Sequence, residues 1–162
     1  MAVRERIFVG LGANLGDAIV SVRTAMAQLS ALPETSLVAA SALYRSAPLD
    51  APGPDYVNAV AELQTQLEPE ALLAQLQMLE QRFDRQRPYR HAPRTLDLDL
   101  LFYGTRRIDG PTLTVPHPRA HQRAFVLAPL AELAPAWRLA DGRSVTVALA
   151  ALPDQHTQRI AA

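Results

Sequence analysis

The sequence contains no cysteine and no lysine, and each absence excludes classes of function. Without cysteine the chain has no disulfide, no thiolate metal site and no cysteine nucleophile. All 16 basic residues are arginine, so the chain lacks the lysine that P-loop proteins and protein kinases place on phosphates. A Schiff-base lysine is excluded as well. If this chain handles phosphates, it does so with arginine and a metal ion.

Net charge and long apolar runs are also absent. The 16 acidic residues balance the 16 arginines, so the overall charge does not indicate nucleic acid or an anionic membrane as a partner. No apolar segment approaches the roughly 20 residues of a membrane span. The short apolar run that follows Arg4, Glu5 and Arg6 does not resemble a secretory signal. We therefore expect a cytoplasmic protein with no nucleic-acid or membrane partner.

The length of 162 residues and the apolar content of 49% are typical of one folded domain, which we expect to span residues 1–162. Apolar spacing and turn residues predict the following elements: strands over 7–11, 36–46 and 56–67, a strand containing Asp97, a hairpin through Val115, and helices over 17–32, from Glu68 and over 123–133. The tail from residue 141 is left unassigned. The order strand, helix, strand, strand, helix, strand predicts an α+β, ferredoxin-like split βαβ sandwich with a C-terminal extension. In it, helices cover one face of a mostly antiparallel sheet and the other face stays free.

Asp97 and Asp99 stand two positions apart in an apolar run that is typical of a strand. Side chains alternate along a strand, so both carboxylates leave the same face. Unpaired like charges at this spacing are costly, and a divalent cation between them removes the cost. Mg²⁺ is commonly held by one or two carboxylates with phosphate and water. The alternative is a half-exposed strand whose aspartates face water.

A cluster of arginines precedes this strand. Five of them fall within 13 residues: Arg82, Arg85, Arg87, Arg90 and Arg94. Arg82 fits the end of a helix, where it complements the helix dipole. The later members lie in a proline-containing loop. We interpret that loop as one that closes over a polyphosphate, excludes water and neutralises developing charge.

Three glycines at positions 10, 12 and 16 follow the first strand. Their G-x-G-x-x-x-G spacing is one residue longer than the dinucleotide-binding fingerprint, and the acidic residue expected about 20 positions later is missing. We therefore interpret them as a turn that needs backbone freedom.

His117 stands between two prolines, which display its ring rigidly, and Arg123 lies nearby in the sequence. The histidine either donates a hydrogen bond to a phosphate or has a structural role. Tyr56 and Asn58 share one face of a predicted strand. They suit a flat heterocycle with an amide-like edge, although an ordinary strand pair is the preferred explanation when the two are taken alone.

With these residues in view, the chain resembles the 6-hydroxymethyl-7,8-dihydropterin pyrophosphokinase family of folate biosynthesis. The most specific match is the run Ala92-Pro93-Arg94-Thr95-Leu96-Asp97-Leu98-Asp99. The match also covers Glu80 and the segments 10–17, 43–48, 55–59, 85–87, 90–101, 114–118 and 123–125. The resemblance implies a ferredoxin-like fold and transfer of the β,γ-pyrophosphoryl group of ATP to the pterin's hydroxymethyl oxygen, with release of AMP.

The resemblance also implies roles for individual residues. The catalytic residues are Arg85, Arg94, Asp97 and Asp99, of which Asp97 and Asp99 hold two Mg²⁺ ions. The ATP site comprises Glu80, Arg87, Arg94, Thr114, His117 and Arg123. The pterin pocket comprises Ser46, Leu49, Tyr56, Asn58 and Phe125, with the rings of Tyr56 and Phe125 on either side of the pterin.

The sequence departs from the family at His91, where many members have tryptophan, and at Ala92, Thr112 and Pro118. Pro88 and Tyr89 also make the preceding loop unusual in composition. We expect a monomer whose partners are ATP and the pterin. Two alternatives remain. A ferredoxin-like RNA-binding module would need exposed aromatic residues on its sheet and a basic charge balance. A nucleotide-binding domain without catalytic activity would differ only in an activity assay.

Overall fold

The computed structural model describes residues 5–14, 17–47, 55–84 and 96–160. Its elements in chain order are β1 (Ile7–Ala13), α1 (Ala18–Leu29), β2 (Thr35–Ala40), β3 (Tyr44–Ser46), β4 (Tyr56–Thr65), α2 (Pro69–Asp84), β5 (Asp97–Tyr103), β6 (Ile108–Asp109), β7 (Thr114–Val115), a 3-10 turn (Ala120–Gln122), α3 (Ala124–Leu133), α4 (Val145–Ala150) and β8 (Thr157–Arg159). The elements after β5 form the C-terminal extension.

The strand order of the main sheet identifies the fold. The strands lie side by side in the order β5, β1, β4, β3 and β8, β2 also pairs with β4, and all of these pairings are antiparallel. The central strands β1 and β4 are each followed by a helix, which is the split βαβ arrangement. The predicted ferredoxin-like sandwich is therefore confirmed. Strands β6 and β7 form a separate two-stranded hairpin.

Helices α1 and α2 cover one face of the sheet because each carries an apolar stripe at helical spacing. The Asp17 side chain accepts a hydrogen bond from the Val20 N–H at 3.2 Å and so caps the start of α1. Three leucines of α2 are completely buried: Leu72, Leu76 and Leu79. Helix α2, with 16 residues, is the longest one described, and none of the described helices is long and apolar enough to cross a membrane.

The second face of the sheet is half covered, so the prediction that it stays free is wrong. Helices α3 and α4 pack on it around an aromatic cluster of Phe8, Phe102 and Trp137, in which the Phe8 and Trp137 ring centroids lie 5.1 Å apart. Glu62 points from β4 into this layer, where Arg6 donates hydrogen bonds of 2.8 and 3.0 Å to its carboxylate. The extension buries this half because its apolar residues form a second core.

The predicted strand over 36–46 is two strands. β2 ends at Ala40, β3 begins at Tyr44, and both pair with β4. Between them the Ser41 side-chain oxygen accepts a hydrogen bond from the Val60 N–H at 2.9 Å. A side chain thus takes the place of a backbone acceptor and interrupts the ladder. The unassigned tail forms α4 and β8.

Gly104, in the turn after β5, allows a test of this backbone. Its φ is 57°, and an added Cβ atom would lie 2.7 Å from Glu5 Oε1. We expect Gly104→Ala to lower the free energy of unfolding by about 1–2 kcal/mol, because a non-glycine residue is strained in the left-handed region. Urea denaturation measures the loss. Gly110→Ala is the matched control, since its new Cβ would meet only Leu113 O at 3.5 Å. Equal losses of unfolding free energy in the two variants would contradict the conclusion that the backbone at Gly104 requires glycine.

Candidate active site

The uncovered half of the second sheet face forms a cavity of about 590 Å³, within the range of about 300–1,000 Å³ that is typical of small-molecule sites. Its floor consists of β1, β4 and β5, and its wall is the segment that leads into α3. Residues on the cavity include Gly10, Gly12, Tyr56, Asn58, Asp97, Asp99, Arg119, Gln122, Arg123 and Phe125. The fold thus brings residues from distant parts of the sequence around one space.

Asp97 and Asp99 both lie on this cavity, as the alternation along β5 predicts. Asp97 is exposed and Asp99 is half-buried, whereas Leu98 and Leu100 are buried on the opposite face of the strand. At about 3.3 Å per residue along a strand, their Cα atoms are about 6.6 Å apart. The predicted shared face is therefore confirmed.

Gly10 and Gly12 lie inside β1, so the prediction that they form a turn is wrong, and Gly16 lies outside the described residues. They are the cross-strand partners of Asp99 and Asp97, respectively. A Cβ atom on Gly12 would stand 3.0 Å from Asn58 Nδ2, and one on Gly10 would stand 3.4 Å from a Leu101 methyl carbon. Glycine is therefore suited to these two positions, because a backbone without side chains keeps the cavity floor open beside the carboxylates.

Arg119, Gln122 and Arg123 line the same cavity as the two aspartates, and the sequence analysis identified only Arg123 among them. Arg123 precedes the first residue of α3 in an extended conformation, and its Cζ lies 5.5 Å from the centroid of the Phe125 ring. The 3-10 turn displays Arg119 and Gln122 at its two ends. Two arginines and two aspartates thus line one cavity, a combination that suits a bound polyanion with a metal ion.

His117 lies at the edge of this charged group and is half-buried. Its Nδ1 accepts a hydrogen bond from the Arg119 backbone N–H at 3.1 Å, and its own backbone N–H donates to Leu101 O at 2.9 Å. Burial lowers the pKa of His117; Asp99 opposes this shift, whereas Arg123 and Arg119 add to it. The ring is therefore held in place as a neutral hydrogen-bond donor.

Tyr56, Asn58 and Phe125 form an aromatic and amide corner of the cavity. Asn58 is 4% exposed, and its Oδ1 accepts a hydrogen bond from Ser46 Oγ at 2.9 Å. This bond orients the amide so that its NH₂ group lies on the floor beside Gly12. The structure brings the four predicted residues Ser46, Tyr56, Asn58 and Phe125 together.

Neither Glu80 nor Thr114 is among the described residues that line the cavity. The Glu80 Oε2 atom accepts a hydrogen bond from the Leu98 backbone N–H at 2.8 Å, on the outer edge of β5. Glu80 therefore supports the strand between the two aspartates from behind. Thr114 is exposed in β7.

Several predicted residues lie outside the described residues: Leu49, Arg85, Arg87, Arg90, His91, Ala92 and Arg94. The arginine-bearing loop and its closure over a polyphosphate therefore stay predictions.

The described side chains of the site suit Mg²⁺ only if phosphate oxygens and water supply further ligands. Among the described residues, no group of three or more His, Cys, Asp or Glu side chains could hold a metal ion. Asp97 and Asp99 offer carboxylate oxygens, which Mg²⁺ prefers, and the cavity in front of them has room for phosphate oxygens and water. The residues fit a divalent ion that arrives with a polyphosphate and do not fit an all-protein metal cage.

The hydrogen bond at His117 Nδ1 predicts the tautomer of the ring. Because Nδ1 is the acceptor, the neutral ring carries its proton on Nε2. With a pKa lowered from 6.5 by burial, the neutral form should dominate at pH 7. Two-dimensional ¹H–¹⁵N NMR of the ring nitrogens across a pH series, without metal or nucleotide, measures both properties. An Nδ1–H tautomer, or a midpoint above the ordinary value, would contradict this arrangement.

Solved structures share this fold. A chain described as HPPK-DHPS in complex with substrates matches with a TM-score of 0.76 at 10% sequence identity, covering 94% of this chain and 44% of that one. A Plasmodium falciparum HPPK-DHPS chain matches with a TM-score of 0.72 at 12% identity, covering 93% and 46%. This chain spans less than half the length of these two solved chains, and the likeness at such low identity shows the fold alone.

Sequence relatives are closer. A Pseudomonas aeruginosa protein named 2-amino-4-hydroxy-6-hydroxymethyldihydropteridine pyrophosphokinase is 47% identical over 157 residues, covering 96% of this chain and 97% of the relative. A Haemophilus influenzae protein of the same name is 44% identical over 128 residues, covering 78% and 80%. The family model for 7,8-dihydro-6-hydroxymethylpterin-pyrophosphokinase (HPPK) matches residues 8–135. With the fold and the cavity in agreement, this chain belongs to the 7,8-dihydro-6-hydroxymethylpterin-pyrophosphokinase family.

Proposed function

We propose that this chain transfers the β,γ-pyrophosphoryl group of ATP to the hydroxymethyl group of 6-hydroxymethyl-7,8-dihydropterin and releases AMP, as a step of folate biosynthesis. One observation carries the proposal. Two carboxylates, two arginines and an aromatic and amide corner line a single cavity; the residues are Asp97, Asp99, Arg119, Arg123, Tyr56, Asn58 and Phe125. Family membership supports the same reaction, because the relatives are named for it.

The charged half of the cavity suits the phosphates. Asp97 and Asp99 would hold Mg²⁺, which when bound neutralises phosphate charge and aligns the phosphate oxygens. Arg119 and Arg123, which line the same cavity, add fixed positive charge. His117 can donate a hydrogen bond from Nε2 without adding charge. The resemblance that places Arg123 and His117 at ATP is thus compatible with where these residues lie.

The reaction requires alignment more than covalent help from the protein. The hydroxymethyl oxygen forms a bond to the β phosphorus and loses its proton to the solvent, while the bond from that phosphorus to the oxygen bridging to the α phosphorus breaks. That oxygen leaves with AMP. Holding both substrates in line, neutralising charge and excluding water are the contributions that the protein makes to such a transfer.

The uncharged half of the cavity suits the pterin. Tyr56 and Phe125 offer ring faces for stacking. The Asn58 carbonyl oxygen is bonded to Ser46, so its NH₂ group is the part that donates to a carbonyl oxygen on the edge of the pterin. Rejection of rings without that oxygen then follows, because the buried amide would be left without its acceptor.

Other assignments stay predictions from the resemblance. They are Arg85 and Arg94 at the transferring group, Arg87 at ATP, Leu49 at the pterin, and Glu80 and Thr114 at ATP. The monomeric state, the cytoplasmic location and the number of Mg²⁺ ions likewise stay predictions. A non-catalytic nucleotide- or RNA-binding module is not favoured. Carboxylates on the open sheet face repel phosphate unless a cation is present.

A product assay tests the proposal. The protein is incubated with ATP, Mg²⁺ and the pterin, and AMP is resolved from ADP by chromatography. We expect AMP in a one-to-one ratio with pterin diphosphate, and only when pterin is present. ADP as the product would show transfer of a single phosphate and overturn the proposal. ATP binding without turnover would favour the non-catalytic module.

Removing one carboxylate should stop turnover while sparing pterin binding. Asp97→Asn and Asp99→Asn each remove a charged metal ligand with little change in shape. We expect kcat to fall by at least about 100-fold, as for other losses of transition-state charge stabilisation. Steady-state kinetics and pterin titration measure the two effects. The control is Asp109→Asn, at an exposed position in β6. Near-normal turnover in either cavity variant would contradict the metal assignment.

Ser46 should act on the pterin through Asn58. We expect Asn58→Ala to weaken pterin binding by about 10–100-fold and Ser46→Ala by about 3–10-fold, the effect of an ordinary hydrogen bond. The double variant should bind no more weakly than Asn58→Ala alone, because Ser46 has no amide left to orient. Calorimetric titration completes the cycle. Fully additive losses would show that Ser46 acts independently of Asn58.

A further inference from the structure

The C-terminal tail reaches back to the cavity through one glutamine side chain. Gln155 lies between α4 and β8 and is half-buried. Its Oε1 accepts a hydrogen bond from the Ala124 backbone N–H at 2.9 Å, and its Nε2 donates to the Gln122 backbone carbonyl at 2.9 Å. One amide therefore joins two backbone groups that lie more than 30 positions earlier in the chain.

These two backbone groups flank Arg123. Gln122 and Arg123 lie on the cavity wall, and Phe125 follows one residue after Ala124. Arg123 has φ −124° and ψ 108°, and no side chain of its own segment caps the helix that follows. The Ala124 N–H is one of the donors that a helix start leaves without an intrahelical partner. Gln155, which is distant in sequence, thus accepts a hydrogen bond from the free N–H at the start of α3 and holds the extended backbone at Arg123.

The same tail is also anchored to β3. β8 pairs with β3, where Thr157 is opposite Ser46, and the Ile160 N–H donates to Leu43 O at 2.8 Å. Ser46 is the residue that orients Asn58. Residues 155–160, which we call the strap, therefore connect the wall that carries Phe125 to the strand that supports the amide on the floor.

We propose that Gln155 is a positioning residue for pterin binding: its amide, hydrogen-bonded on both sides of Arg123, sets the place of Phe125 relative to Tyr56 and Asn58. The inference rests on the proposed function, because it concerns the same pocket. Gln155 itself need not contact the substrate. Loss of its bonds should widen the gap into which the ring fits and should affect pterin binding more than the chemical step.

Three variants separate this role from a merely structural one. Gln155→Met keeps the length of the side chain and removes both hydrogen bonds. Gln155→Glu keeps the acceptor for the Ala124 N–H, and so keeps the helix cap, but removes the donor to the Gln122 carbonyl. Gln158→Met is the matched control, because Gln158 is an exposed residue of β8 in the same strap.

The experiment compares the full chain and these variants by titration with 6-hydroxymethyl-7,8-dihydropterin in the presence of Mg²⁺ and α,β-methylene-ATP. Steady-state kinetics and urea denaturation complete the set. We expect Gln155→Met to weaken pterin binding by about tenfold and Gln155→Glu by about threefold, with kcat within about twofold in both. Gln155→Glu, which keeps the helix cap, should unfold at a higher urea concentration than Gln155→Met. Gln158→Met should match the parent chain in every measurement.

Each other outcome has a defined meaning. If the parent chain binds no pterin, the proposed function fails and the positioning role falls with it. If the parent chain binds pterin, and both Gln155→Glu and Gln155→Met bind it as tightly as the parent chain does, the positioning role alone is overturned. It is also overturned if Gln158→Met loses as much affinity as Gln155→Met, because the effect would then belong to the strap in general. If Gln155→Met does not fold, the capped Gln155→Glu variant decides.

Discussion

The site depends on one constraint: strand alternation places two carboxylates, Asp97 and Asp99, on the same face of the edge strand β5, beside one cavity. Asp97 and Asp99 point into the same cavity from β5, and nothing in the described residues supplies the additional ligands of a closed metal site. Such a pair is tolerated where water reaches it and where a cation and a polyanion can enter together. The open cavity, the glycine floor and the arginine wall all serve that requirement. The site is therefore completed by its ligands.

The fold meets this requirement by giving the two faces of one sheet different tasks. One face is buried under α1 and α2 by a continuous apolar core. On the other, a register shift between β1 and β5 inserts Leu101, so Asp97 and Asp99 stay over the cavity while Phe102 enters the second core. The C-terminal extension then covers half of that face, and its first turn supplies the cationic wall. The polar side chains with which the sheet lines the cavity thus differ from those that it contributes to the first core.

Much of this could be predicted because strand alternation is a local property. Alternation correctly predicts that Asp97 and Asp99 share one strand face and that Tyr56 and Asn58 share another. The element order correctly predicts the split βαβ fold. Gly10 and Gly12 were misread because glycine spacing looks the same in a turn as in a strand that a ligand approaches. Arg119 and Gln122 lie in a short 3-10 turn with no periodicity. Gln155 acts across more than 30 positions, which no local pattern reveals.

The measurement that tests the account most directly is water proton relaxation by Mn²⁺ bound to the protein, with and without α,β-methylene-ATP. The account predicts weak binding of Mn²⁺ alone, because two carboxylates supply only part of its ligands, and a large relaxation enhancement when the nucleotide is added. The Asp97→Asn, Asp99→Asn double variant should lose that enhancement. An equal enhancement in the double variant, or tight Mn²⁺ binding without nucleotide, would contradict the claim that these two carboxylates and the phosphates together form the metal site.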